Sequence, residues 1–386
     1  MSSSKTIKVA VAGVGFIGPV HIESLRRVPG IEVVAICHSN EKAALEKAAA
    51  LHVPSSYTGF EKMLREEVLD CVHICTPNDL HYNMTKAALL AGKHVVCDKP
   101  LAMTVTEAAE LLQLAKEKNV VHAVNFNIRY YPLVRQMKMM REKGELGEIY
   151  TVLGTYLQDW LYYNTDYNWR VEAAKTGNSK AIADIGSHLI DLLEYITGLQ
   201  VTEVMADFST IHPTRKKPLK NIETYSGKLL SPGDYTDVAI DVEDYATVLL
   251  RFENGRKGSV TVSQVAAGRK NRLNVEITGS NCSVAWCSEQ PNDLWIGKRN
   301  EPNQLLIRDP AIVDEQTRNI ISYPGGHNEG FGDTSKQLFR EIYTDIKNGK
   351  PSVNPGYPTF EHGLRELILC EKIITSNKKQ RWVRVE

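Results

Sequence analysis

Directly after a β-branched run, Ile7–Ala12, the chain reads Gly13-Val14-Gly15-Phe16-Ile17-Gly18, and a helical pattern follows. A strand that passes through a glycine-rich loop straight into a helix restricts the fold more than any other feature of this sequence. Each glycine has its own physical task. The first permits a tight turn, the second lets the backbone approach a pyrophosphate, and the third lets helix and strand pack closely. The helix N-terminus adds unpaired N–H donors suited to phosphate oxygens. A lone G-x-G-x-x-G also occurs as a plain turn. Its position at the head of a strand–helix series points to dinucleotide binding, with Gly13, Gly15, Phe16, Ile17 and Gly18 as the contacting residues.

The pattern that follows supports a parallel sheet. Short β-branched runs recur at Val33–Ile36, Val72–Cys75, His94–Cys97 and Val120–Val124, separated by stretches with helical spacing. One such stretch, Leu80, Met84, Ala87, Ala88 and Ala91, is expected to be capped by Asn78 or Asp79 and stopped by Gly92. Another opens with Thr104 and carries Glu107 three residues on, a capping box. Alternating strands and helices imply an α/β unit with helices on both faces of the sheet, and ligands bind beyond the carboxyl ends of its strands. After Pro132 the pattern changes. Glu148–Tyr156, Tyr245–Phe252, Gly258–Gln264 and Leu273–Thr278 read as strands, with Glu253-Asn254-Gly255 as a hairpin turn. Helices are expected at about Leu133–Lys143, Ile185–Ile196, Asp333–Lys347 and Thr359–Ser376. The expected division is a dinucleotide-binding domain over 1–130 and an α+β domain with a large, mainly antiparallel open sheet over 131–386. Residues 212–237, rich in Pro, Lys and Gly, read as a long loop whose basic cluster, Arg215 to Lys220, is a solvated surface.

Composition excludes several classes. The 386 residues carry 46 Lys plus Arg against 46 Asp plus Glu, so the basic excess of a nucleic-acid binder is missing. No stretch of roughly eighteen apolar residues suggests a membrane span, and no apolar leader precedes the first strand. The seven cysteines do not space into a metal or disulfide framework. A cytoplasmic protein with a small-molecule substrate is expected.

The second strand runs into Cys37-His38-Ser39-Asn40. Folds that prefer NAD usually place a carboxylate here on the adenosine ribose. Its absence removes the repulsion against a 2′-phosphate, and Ser39 offers a donor, yet no Arg stands there to clamp that group. His38, Ser39 and Asn40 are therefore cofactor candidates, with NAD and NADP both open.

Three further stretches carry chemistry. Asp184 and His188 lie four residues apart, on one face of any α-helix through them, and Asp191 extends that stripe. A carboxylate beside a histidine orients the ring and stabilises imidazolium, as a general base near neutral pH requires. Lys99 follows a strand at its carboxyl end, where an ammonium stabilises a developing alkoxide. Thr76-Pro77-Asn78, Asp98-Lys99-Pro100 and Asp184-Ile185-Gly186-Ser187-His188, taken with the glycine loop, resemble the Gfo/Idh/MocA oxidoreductases, the family of glucose–fructose oxidoreductase and inositol dehydrogenase. The resemblance covers essentially the whole chain. Asp98 stands where Glu is commoner, and the second strand lacks the common Asp. The resemblance implies Lys99, Asp184 and His188 as the catalytic trio, with His188 as the acid–base group. It further implies that Thr76, Pro77 and Asn78 line the dinucleotide beside Asp98 and Lys99, and that the Lys99–Pro100 peptide is cis. His81 is a further cofactor candidate.

On the substrate side, Tyr156 to Arg170 holds six aromatic residues in fifteen, interspersed with Gln, Asp and Asn. Such a surface suits the apolar faces and directional hydroxyls of a pyranose or cyclitol. Gln158, Trp160, Trp169 and Arg170 are wall candidates, as are Asn125, Asn127, Arg129 and Tyr130 after the last parallel strand. His327, in the glycine-rich loop Tyr323–His327, is more simply structural or exposed. Together these point to an NAD(P)-dependent dehydrogenase acting on a ring secondary alcohol of a sugar, anhydrosugar or inositol. The alternatives are an NAD-dependent glycosidase working by transient oxidation and elimination, or a non-catalytic sensor. Relatives associate through the broad sheet, so a homodimer or homotetramer is expected.

Overall fold

The computed structural model describes residues 6–219 and 232–385. The chain divides into two compact units, 1–130 with 331–367 and 131–330 with 368–386. The first unit therefore also takes in 331–367, which a single cut after residue 130 leaves with the second.

In the first unit, β1 (Ile7–Ala12), β2 (Ile31–Cys37), β3 (Ser55–Tyr57), β4 (Cys71–Ile74), β5 (His94–Cys97) and β6 (His122–Val124) form a sheet of order β3-β2-β1-β4-β5-β6. Every neighbouring pair is parallel. The order reverses between β1 and β4, so the loops after these strands face the crevice where such sheets bind dinucleotides. Helices α1 (Ile17–Arg26), α2 (Glu41–Ala50), α3 (Phe60–Glu66), α4 (His81–Leu90) and α5 (Val105–Glu117) connect the strands. Except for the short edge strand β3, the strands are largely buried and read as near-continuous apolar runs, as expected of a covered parallel sheet. Thr104 caps α5 with its side chain on the Glu107 N–H, and Glu107 Oε2 returns the bond to the Thr104 N–H. At α4 the expected cap is corrected. Asn78–Leu80 first wind into a tight 3-10 turn, which leaves Leu80 rather than Asn78 or Asp79 at the N-cap position.

In the second unit, helix α6 (Pro132–Glu142) leads into β7 (Ile149–Leu157), and the short α7 (Ala173–Thr176) precedes α8 (Ser187–Thr197). The strands that follow are β8 (Val201–Ser209), β9 (Thr214–Pro218), β10 (Tyr235–Ala239), β11 (Tyr245–Phe252), β12 (Lys257–Ser263), β13 (Arg272–Gly279), β14 (Ser283–Cys287), β15 (Asp293–Gly297), β16 (Gln304–Ile307) and β17 (Val383–Arg384). Eight of these strands and β7 build one nine-stranded sheet, in order β16-β15-β14-β13-β7-β12-β11-β8-β17, antiparallel except for the β7–β12 pair. The β11–β12 hairpin turns at Glu253–Gly255, where Asn254 (φ 59°) and Gly255 (φ 75°) take the left-handed conformations such a turn needs. Leu189 of α8 sits against Gly154 of β7, which lays the helix directly on the sheet.

The long-loop expectation for 212–237 is corrected: β9 and β10 pair as an antiparallel ribbon. Residues 220–231, including Lys220, lie outside the described residues. A buried arginine anchors this ribbon, and its strand-forming role is hidden in sequence by the surrounding Lys and Pro. The remaining helices are α9 (Glu315–Arg318) in the second unit, α10 (Phe331–Lys347) in the first, and α11 (Phe360–Lys379), which contains the boundary at 367/368.

Candidate active site

The glycine loop of the first unit meets each requirement of its motif. Gly13 has φ +88°, and a Cβ built there would lie 2.5 Å from the Cys75 carbonyl carbon, so the loop after β1 is pressed against the end of β4. A Cβ on Gly18 would lie 2.1 Å from the Gly13 oxygen, which is the close helix–loop approach that only glycine allows. Gly15 has open space within 4 Å of its Cβ position, leaving its backbone accessible to a ligand. Phe16, at the N-cap of α1, makes no side-chain cap bond and is 56% exposed, and no acidic residue occupies the first turn. Thr76 Oγ1, at the end of β4, is buried without a hydrogen-bond partner among the described residues. A cradle free of side chains, an uncapped helix start and a buried hydroxyl awaiting a partner together fit a dinucleotide pyrophosphate.

At the end of β2, His38 Nδ1 accepts from the Asn40 N–H, and Asn40 Oδ1 caps α2 through the Ala43 N–H. No carboxylate stands among His38, Ser39 and Asn40. The Lys99–Pro100 peptide is cis. Asp98 Oδ1 accepts from Asn125 Nδ2 at 3.1 Å. His81 joins the two loops. Its Nδ1 faces the Pro100 carbonyl at 2.6 Å and its Nε2 the Thr76 carbonyl at 2.8 Å. A carbonyl only accepts, so both nitrogens donate and the ring is an imidazolium. Burial opposes that charge, but the Cys97 sulfur, the Pro100 carbonyl and the Asp98 carboxylate outweigh it and raise the pKa to about 9. His81, expected to contact the cofactor, therefore spends both nitrogens fastening the Thr76 loop to the Pro100 loop.

The residues after β6 also turn inward. Asn125 Nδ2 serves Asp98 and His21, Asn127 Nδ2 donates to Thr334 Oγ1 at 2.8 Å, and the Tyr130 hydroxyl donates to Glu341 Oε2 at 2.5 Å. Arg129 is buried beside them and lowers the pKa of His362 through its charge, secondary to burial. These bonds hold α10 and the Asp98 loop through Asn125 Nδ2, Asn127 Nδ2 and the Tyr130 hydroxyl, while Asn125 Oδ1 is buried without a hydrogen-bond partner among the described residues.

In the second unit, two tryptophans of the aromatic run reach Asp184 through Arg170. Arg170 lies over the Trp169 ring at 4.5 Å and the Trp160 ring at 5.4 Å, with its Nε 3.5 Å from Asp184 Oδ1. Trp160 Nε1 donates to Gln158 Oε1, and Gln158 Nε2 donates to Asn271 Oδ1 at 2.8 Å. The helix expected at about Ile185–Ile196 is present, but it is entered through a different turn. Ile182–Gly186 form a π turn, and α8 starts at Ser187 with His188 in its first turn and Asp191 on its next. The buried Glu243 carboxylate braces this turn, accepting from Ser179 Oγ (2.7 Å), Lys180 N (3.0 Å) and Ile182 N (2.9 Å). His327 is exposed, its Nδ1 3.4 Å from the Gly325 carbonyl.

Glu243 and four further residues of this arrangement are not identified by the sequence patterns. Gln264 Nε2 donates to Asp184 Oδ2 at 2.9 Å. Asp244, fully buried, pairs with Lys180 Nζ and, at 2.7 Å, with Arg215 Nη2. Arg215 also donates to the carbonyls of Leu161, Tyr163 and Asp166, tying the aromatic run to the sheet. It is 0% exposed, which corrects the reading of Arg215 as part of a solvated basic cluster. Burial raises the Glu243 pKa, and it lowers that of Lys180 against the pull of Asp244. The one available signal was the adjacent pair Glu243-Asp244 immediately ahead of an alternating strand.

Among the described residues, no helix is long and apolar enough to cross a membrane. Residues 7–126 match the model of an oxidoreductase family with an NAD-binding Rossmann fold, and residues 134–285 match the GFO/IDH/MocA C-terminal domain. The chain is 30% identical to levoglucosan dehydrogenase of Pseudarthrobacter phenanthrenivorans, over 99% of this chain and 98% of that protein. It is 26% identical to myo-inositol 2-dehydrogenase of Thermotoga maritima, over 98% and 99% respectively. A solved levoglucosan dehydrogenase in complex with NADH and L-sorbose superposes with a TM-score of 0.88 at 28% identity, covering 99% of both chains. The chain belongs to the Gfo/Idh/MocA oxidoreductase family, and it is an oxidoreductase built on an NAD-binding Rossmann fold.

Proposed function

We propose that this oxidoreductase is a dehydrogenase for a ring secondary alcohol of a sugar, anhydrosugar or inositol, with Lys99, Asp184 and His188 as its catalytic residues. The observation that carries the reading is the surround of Asp184. Its two oxygens face Arg170 Nε and Gln264 Nε2, and Arg170 is stacked on Trp160 and Trp169. A carboxylate held by donors beside flat aromatic faces suits a hydroxylated ring, whose C–H face stacks while its hydroxyls hydrogen-bond.

The bound nicotinamide dinucleotide supplies the redox chemistry. Gly13, Gly15, Gly18 and the start of α1 hold its pyrophosphate, with Thr76, Pro77 and Asn78 alongside. His188 takes the hydroxyl proton as general base, and the Asp184 carboxylate favours its charged form. Lys99 hydrogen-bonds the hydroxyl oxygen and stabilises negative charge as it develops. The relatives named for levoglucosan and myo-inositol support this substrate class.

The reading includes self-association through the nine-stranded sheet. Leu153, Leu249 and Leu305 fall on one cross-strand row and so share a face, and all three are exposed. A dimer or tetramer that covers this face is expected, in the cytoplasm.

The test is to combine the protein with NAD or NADP and a panel of inositols, pyranoses and anhydrosugars while following nicotinamide absorbance. Turnover that His188→Ala abolishes, with dinucleotide affinity retained, supports the reading. Silence with both cofactors, together with cleavage of aryl glycosides, replaces it with the glycosidase.

A further inference from the structure

A line of buried polar side chains crosses the first unit and takes no part in the chemistry assigned above. Asn125 Nδ2 lies 3.1 Å from Asp98 Oδ1 and 3.0 Å from His21 Nε2. His21 Nδ1 lies 2.9 Å from His73 Nδ1 and 3.2 Å from Cys75 Sγ. His73 Nε2 lies 2.8 Å from the Tyr343 hydroxyl. His21, His73 and Tyr343 are 0% exposed.

One carboxylate decides where every proton in this line sits. Asp98 accepts, so the Asn125 atom facing it is the amide nitrogen. The same nitrogen faces His21 Nε2, which must then present its lone pair. That leaves the His21 proton on Nδ1, where it is donated to His73 Nδ1, with the weakly accepting Cys75 sulfur beside it. His73 in turn carries its proton on Nε2 and donates it to Tyr343, whose own hydrogen then points away from the ring. The assignment requires both rings to be neutral. Burial supports this: it pulls His21 down to about 4 against the pull of Asp98, and His73 well below the ordinary value.

We infer that Asn125, His21, His73 and Tyr343 form a one-way hydrogen-bond chain that positions Asp98 and, through it, the adjoining Lys99. The positioning half rests on the reading of Lys99 proposed above, whereas the direction of the chain stands without it. No member of the chain touches substrate in this assignment. The residues act through the Asp98 carboxylate, which loses its amide donor if the chain is broken or turned round.

The test reads the imidazole nitrogens by ¹⁵N NMR in the 386-residue chain, with His21→Gln and His73→Gln spectra for assignment. The native protein is expected to show His21 protonated on Nδ1 and His73 on Nε2. Asn125→Asp is expected to invert both rings. The new carboxylate can only accept, so His21 donates from Nε2, His73 donates from Nδ1, and Tyr343 donates to His73. The same variant sets two carboxylates face to face at Asp98 and should lower kcat at least about tenfold, the scale of a misplaced reacting group, with sugar KM little changed. A native His21 protonated on Nε2, or tautomers that Asn125→Asp leaves in place, overturns the chain. If Asn125→Asp fails to fold, the native tautomers alone decide its direction. Inverted tautomers with unchanged kcat overturn the positioning role while leaving the chain intact. Full turnover in Lys99→Ala would instead sink the proposed role of Lys99.

Discussion

Raising the pH should unfasten two loops of the dinucleotide-binding unit by removing a single proton from His81. The ring is buried between the carbonyls of Pro100 and Thr76, at 2.6 Å and 2.8 Å, and needs both N–H groups to satisfy them. A neutral ring has one donor, so deprotonation turns one contact into lone pair against lone pair. The folded chain holds the proton to about pH 9, against an ordinary value of 6.5. That gap corresponds to roughly 3 kcal/mol at about 1.36 kcal/mol per pH unit. Because the folded value is the higher one, the stabilisation is complete below pH 6.5, fades as the pH rises, and is lost above about 9. The assay is denaturant unfolding of the native chain and His81→Gln across this window. Glutamine keeps one donor and carries no charge, while groups that titrate in alkali away from His81 cancel in the difference. The native chain should exceed the variant by roughly 3 kcal/mol at the acid end, with the margin shrinking towards pH 9. A margin independent of pH would refute the imidazolium.

Five further variants probe the geometry. Gly15→Ala adds a methyl group where nothing lies within 4 Å, so its melting temperature should match the native value while dinucleotide affinity, read by fluorescence titration, falls about tenfold. Gly13→Ala, whose Cβ would meet the Cys75 carbonyl carbon at 2.5 Å, should lose both. Asp244→Asn strips the counter-charge from the buried Lys180 and Arg215 and should cost about 3–5 kcal/mol in urea unfolding. By contrast Lys216→Ala, which breaks only an exposed pair with Asp237, should stay within about 0.5 kcal/mol. Gln264→Glu sets a second carboxylate against Asp184 Oδ2 and should move the acid limb of the kcat/KM profile to higher pH. Coincident profiles for native and variant would show that Gln264 does not govern Asp184.

The two units differ in how far their sites were legible. In the first, the glycine loop and the runs that became β1, β2, β4, β5 and β6 were readable because a parallel sheet buried on both faces leaves unbroken apolar runs. In the second, the hairpin at Glu253–Gly255 and the strands around it were readable from period-two alternation and turn residues. Residues 212–237 misled, because β9 is built around one buried arginine in a stretch of lysines, and composition cannot tell a buried cation from a solvated one. Asp184 and His188 were found by spacing. The π turn through Asp184 was not, since Glu243, some sixty residues along the chain, is what braces that turn.

The sequence by itself determined what depends on near neighbours: the glycine turn into α1, the capping box at Thr104, the alternation of each strand and the presence of Lys99, Asp184 and His188. Only the tertiary structure decided what depends on distant partners. It showed that His81 fastens two loops, that Asn125 Nδ2 serves Asp98 and His21, and that Gln264, Arg215 and Asp244 hold the aromatic run and Asp184 in place. The physical reason is that a strand or turn is selected by local backbone sterics and periodicity. The charge state and role of a buried polar group are instead set by whichever donors and acceptors the fold brings within about 3 Å of it.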